Sequence, residues 1–104
     1  MKNFDRSELI RMGIASVGKP AVLFARGNDE DILQKAIEEI KKEYNSQEQV
    51  NTIVTAIILE QAVFFDTFAE AVKLYVIFCG DTFYASDIYA EIFDEHGQSQ
   101  DCNT

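Results

Sequence analysis

Pro20-Ala21-Val22-Leu23-Phe24-Ala25-Arg26-Gly27 is the stretch on which the fold turns. It is a short apolar run, and such a run has two readings. Pro20 is favoured in the first turn of a helix and Gly27 is a common stop, which gives two helical turns. The same residues also suit a buried strand, because periodicity does not separate helix from strand over so few positions. The helical reading is the one adopted. It makes the chain all-α, a compact bundle of about five to six helices. The alternative is an α+β fold with short strands near 21–26, 52–59 or 72–78, where β-branched residues concentrate.

Toward the N-terminus, Asp5 or Ser7 can cap a helix running to about Val17, and Gly18 supplies the left-handed residue that commonly ends one. Toward the C-terminus, 28–44 carries the clearest helical pattern. Asn28 is a good cap, Asp29, Glu30 and Asp31 stand where the helix dipole favours acids, and Lys41 and Lys42 stand at the other end. Ile32, Leu33, Ala36, Ile37, Ile40 and Tyr44 recur at three- and four-residue steps and define one apolar face.

Ser46-Gln47-Glu48-Gln49 reads as a capping box that opens the next helix. Nothing from Gln47 to Cys79 is Gly or Pro, and a straight helix of that length would span roughly 50 Å. A turn or kink near Glu60 to Ala62 is therefore expected, with Ala62 to Cys79 as the central, most buried helix. Gly80 then ends that helix and Asp81 or Thr82 opens the last. In it, Tyr84, Ala85, Ile88, Tyr89, Ile92 and Phe93 take one side while Asp87, Glu91, Asp94 and Glu95 form an acidic stripe on the other. Gly97 closes the helix, and 98–104 has no apolar anchor and is expected to be a disordered tail. One helical domain over 1–97 results, and 47% hydrophobic residues in a 104-residue chain are enough for one core.

Charge is divided unevenly. The formal net charge is −9. Bases and acids balance through residue 44, whereas beyond it Glu48, Glu60, Asp66, Glu70, Asp81, Asp87, Glu91, Asp94, Glu95 and Asp101 face the single base Lys73. Such a balance opposes direct binding to nucleic acid, whose affinity comes from Lys and Arg. No apolar stretch reaches the roughly 20 residues of a membrane span, and the first residues lack the apolar core of a secretory signal. Two cysteines, Cys79 and Cys102, do not make a disulfide framework. A cytoplasmic location is expected.

Catalytic patterns are weak. His96 is the only histidine and is expected in the last helical turn, where the dipole favours it. Cys79 follows Val-Ile-Phe and reads as a small buried apolar residue. Glu39 with Glu43 and Asp66 with Glu70 have the spacing from which a small metal-dependent hydrolase could hold magnesium, but Lys35, Lys42 and Lys73 flank them as ordinary ion-pair partners. No catalytic residue, metal ligand or cofactor is assigned.

The acidic half therefore carries the functional expectation. Like charges at four-residue spacing disfavour a helix, and a surface of one sign steers a partner of the other. The expected activity is inhibitory binding: an immunity protein, antitoxin or nucleic-acid mimic that covers the basic active site of a nuclease toxin. The expected partner-binding residues are Asp66, Glu70, Asp81, Tyr84, Asp87, Glu91, Asp94 and Glu95, with Tyr89 as a second aromatic anchor if exposed. The alternatives are a non-catalytic helical subunit or homodimer that docks through apolar surface, and the small hydrolase.

Overall fold

The computed structural model describes residues 6–78 and 88–100, with side chains from Met12 onward. The element order is α1 (Arg6–Val17), β1 (Ala21–Arg26), α2 (Glu30–Glu43), α3 (Gln47–Leu59), β2 (Ala62–Phe64), α4 (Phe68–Phe78), β3 (Ile88–Phe93) and β4 (Ser99–Gln100). The four strands form one antiparallel sheet in the order β2-β1-β3-β4. The fold is α+β, which corrects the all-α bundle of five to six helices.

The decisive run is a strand, and a central one. Ala21, Val22 and Phe24 are all buried, so β1 is covered on both faces. Alternation sends Val22 and Phe24 to one face and Ala21 to the other. On the first face, Val22, Phe24, Val63, Ile88 and Ile92 form one core with Leu33, Ala36 and Ile40 of α2, with Val50, Ile53, Ala56 and Ile57 of α3, and with Ala71, Leu74 and Phe78 of α4. Phe24 meets the Phe78 ring edge-on at 5.2 Å between centroids, an arrangement that adds about 0.5–1.5 kcal/mol to the burial itself. On the second face a smaller cluster joins Ile14 of α1 to Ala21 and Phe93.

Of the three alternative strands, only 21–26 exists; 52–59 lies in α3 and 72–78 in α4. The expected central helix over 62–79 is replaced by β2, a loop and the shorter α4. Over its described residues the expected last helix is replaced by β3 and the turn after it, and the β3 pattern satisfies both periods. Ile88 and Ile92, or Tyr89 and Phe93, are four apart, and four positions bring a residue back to the same side of a strand and nearly so of a helix. Tertiary pairing decides: β3 is in register with β1 along its whole length, from Arg26 opposite Ile88 to Ala21 opposite Phe93.

Local signals place the breaks. Gly18 ends α1 with φ +77°, its N–H donating to Ile14 O at 3.1 Å. Asp29, one residue beyond the expected cap, accepts the N–H groups of Asp31 and Ile32 at 3.0 and 3.2 Å and starts α2. Ser46 accepts the Gln49 N–H at 3.2 Å and starts α3. The expected break near Glu60 is there: Glu60 adopts φ 56°, ψ 54°, and the Gln61 N–H returns to Ala56 O at 2.8 Å. That left-handed site usually takes Gly. Here a carboxylate stands in it, and Glu60 Oε1 accepts the Arg26 backbone N–H at 3.2 Å, while Arg26 Nε donates to Ile58 O at 3.2 Å. The end of α3 is thereby tied to the end of β1.

Both Glu60→Gly and Glu60→Ala lose that carboxylate, but only the first relieves the backbone. Urea denaturation is expected to find the Gly variant about 1 kcal/mol more stable than the Ala variant. Equal stabilities would mean that the left-handed turn is not held.

Candidate functional site

The helical stripe expected of Asp87, Glu91, Asp94 and Glu95 is not formed, since Glu91 lies in β3 and Asp94 and Glu95 follow it, and the other expected partner-binding acids that are described lie apart from them. Asp81, Tyr84 and Asp87 lie outside the described residues. Asp94 opens the turn between β3 and β4: its carboxylate Oδ1 accepts the N–H groups of His96 and Gln98 at 2.9 and 3.0 Å, and Oδ2 accepts Gln100 Nε2 at 3.1 Å. The Gly97 N–H donates to Asp94 O at 3.0 Å, and Gly97 has φ +78°. This is a type I turn followed by a left-handed glycine, for which Asp-x-x-Gly is the expected signature. Glu95 and His96 are exposed in the turn, with His96 Nε2 3.8 Å from Glu95 Oε1. His96 is therefore a turn residue and not a helix terminus. Ser99 and Gln100, expected in the tail, pair with Phe93 and Ile92, and 101–104 lie outside the described residues.

Glu70 and Asp66 sit elsewhere, at the start of α4. Glu70 Oε1 accepts the Thr67 backbone N–H at 3.2 Å and the Thr67 hydroxyl at 3.0 Å, and Thr67 Oγ1 accepts the Glu70 N–H at 3.2 Å. Thr67-Phe68-Ala69-Glu70 is a full capping box, a local start signal inside the stretch expected to be one continuous helix. Asp66 meets Lys19 Nζ at 3.1 Å across the α1–β1 turn, an exposed pair that contributes at most about 1 kcal/mol. Glu39 pairs with Lys42 at 3.5 Å. Glu39, Asp66 and Glu70 of the hydrolase pattern thus each have their own partner, and among the described residues no three His, Cys, Asp or Glu side chains gather as metal ligands.

Tyr44 is where ionisation is most clearly shaped. It ends α2, is buried, and its hydroxyl has no hydrogen-bond partner among the described residues. Burial first, and then the charges of Glu43 and Glu70, push its pKa from the ordinary 10.0 up to about 12. Lys73 Nζ lies 4.7 Å from the ring centroid. A phenol held this firmly in its neutral form is a poor general base, since proton abstraction near pH 7 wants a pKa close to that pH.

Glu91, Tyr89 and the sheet face they share make the remaining arrangement. Leu23 stands opposite Glu91 and Ala25 opposite Tyr89. Tyr89 is 62% exposed, while Leu23, Ala25 and Glu91 are half-buried. Glu91 Oε2 accepts the Ser99 hydroxyl at 3.1 Å. Of the two tyrosines expected as anchors, Tyr89 is accessible and Tyr84 is not among the described residues.

Comparison with family models, with curated proteins and with solved structures finds no match to the chain. No helix among the described residues is long and apolar enough to cross a membrane.

Two outcomes follow from these roles. Asp94→Ala, which removes three accepted hydrogen bonds from one hairpin, is expected to lower stability by about 2 kcal/mol in chemical denaturation, whether or not a partner is present. Tyr44→Phe removes an unpartnered buried hydroxyl and is expected to be neutral or slightly stabilising at pH 7. Above pH 10 the unfolded chain releases the Tyr44 proton, whereas the folded chain keeps it to about 12, so the native state binds more protons and stability falls as pH rises through that window. Denaturation midpoints between pH 10 and 12 should fall less steeply for Tyr44→Phe than for the parent.

Proposed function

We propose that this is an acidic, non-catalytic binding protein that covers the basic active-site surface of a nuclease-like partner, in the manner of an immunity protein or antitoxin. One observation carries the reading. Asp66 pairs with the Lys19 ammonium, but three other carboxylates that the fold uses in the C-terminal half are satisfied by amides and hydroxyls: Glu70 by Thr67, Asp94 by its own turn, Glu91 by Ser99. Neutral donors leave the negative charge in place, so these residues serve the fold and still contribute to the field. Lys73, the base of that half, is drawn over the Tyr44 ring within the domain. Exposed Glu48 and Glu95 add to the same sign. A field of that kind accelerates encounter with a positively charged protein and excludes negatively charged ones.

A second reading, a subunit or homodimer docking through apolar surface, is favoured by a different observation. Phe64 and Tyr89 are exposed on the side of the sheet away from the main core.

Salt separates the two. Tagged protein incubated with lysate of its native host is expected to retain a basic, nuclease-like protein at low ionic strength and to release it at high ionic strength, as identified by mass spectrometry. Recovery insensitive to salt, or recovery of this chain alone, would overturn the acidic-binding reading in favour of apolar docking.

A further inference from the structure

Among the described residues, the sheet face on the α1 side is covered at the Ala21–Phe93 end. Ile14 packs on Ala21 and Phe93, where the small second cluster lies. Leu23 and Ala62 pack against that cluster, and Phe64, opposite Ala21, flanks it at 39% exposure; beyond it the Ala25–Tyr89 row reaches the surface, with half-buried Glu91 opposite Leu23 in between. The result is a shallow apolar platform with one carboxylate set into it. Ser99 gives that carboxylate a hydrogen bond but no charge. A half-buried anion among apolar groups gains strength from a cation brought to it out of water.

We infer that this platform is the docking surface for an arginine-bearing segment of the basic partner, with the guanidinium laid on the Tyr89 ring and turned toward Glu91. The inference rests on the binding reading above and gives it a place. Tyr89 and Glu91 are two residues apart on β3, so they project from the same side of the strand as neighbours. Arginine is the residue suited to both at once. Its flat, weakly hydrated head stacks on aromatic faces and pairs with carboxylates through parallel hydrogen bonds. A second copy of this chain is a poor occupant, because it would bring together two surfaces from chains of formal charge −9.

The test is a titration of the isotope-labelled chain with an octa-arginine peptide at low salt, followed through backbone amide chemical shifts. The largest changes are expected at Leu23, Ala25, Tyr89 and Glu91. Tyr89→Ala should weaken the peptide roughly three- to thirty-fold. Glu91→Gln, which keeps the side-chain shape, should weaken it by a similar factor, and Glu48→Gln, on α3 across the sheet, by less than about twofold. Thermal melts of each variant confirm that the fold is kept. Peptide binding centred elsewhere and indifferent to Tyr89→Ala overturns this placement while the acidic-binding reading stands. Absence of any peptide binding overturns both. Shifts at Tyr89 that grow with protein concentration alone assign the face to a second copy and overturn the inference.

Discussion

Two-sided burial of β1 is the constraint on which the rest depends. Strands at the centre of a sheet are apolar on both faces, and Ala21, Val22, Leu23, Phe24 and Ala25 meet that demand in sequence. Once β1 is central, β2 and β3 must lie against its two edges, and the apolar stripes of α2, α3 and α4 have a surface to cover. The second face then needs only a modest cover, which Ile14 provides through contact with Ala21 and Phe93. Pro20, which suggested a helix start, is instead the residue before the strand, and its carbonyl accepts the Phe65 N–H at 2.9 Å.

Helices were legible where capping and periodicity agreed. In α2, acids at the first turn, lysines at the last and an unambiguous apolar face all point one way, and only the cap moved, from Asn28 to Asp29. Ser46, Gly18 and the break near Glu60 were equally readable from local chemistry. The C-terminal strands were not, because their signals are tertiary. Ile88, Tyr89, Ala90, Glu91, Ile92 and Phe93 alternate as a strand and also repeat every fourth residue as a helix, and nothing within the segment favours one period over the other. Partner strand β1 makes the choice, from about sixty residues away. The Asp94-to-Gly97 turn and the Thr67–Glu70 box were the local clues that, taken together, would have split both supposed helices.

The acidic residues show how one type of side chain is put to several uses. Of the acids expected to bind a partner, Glu70 is a helix cap, Asp94 a turn, Asp66 one half of an exposed ion pair and Glu91 a sheet-face carboxylate. Sequence position alone reported the total charge of this half correctly and its arrangement incorrectly, since a helical projection carries no information about a hairpin. Negative charge placed for local structure still adds to the long-range field, so the solubility, folding and recognition roles of these residues are superposed and not exclusive.

Strand order carries a kinetic consequence. The middle of the sheet is the β1–β3 pair, and about sixty residues separate its members along the chain. Closing so long a loop fixes many residues before any ladder hydrogen bond forms, so this pairing is a late and comparatively slow event in folding, while α2 and α3 assemble from near neighbours. During synthesis β1 emerges long before β3 exists, and in that interval its apolar residues depend on nascent helices, or on chaperones, for shelter. The strand that organises the finished molecule is thus also the segment most exposed to misassociation while the chain is being made.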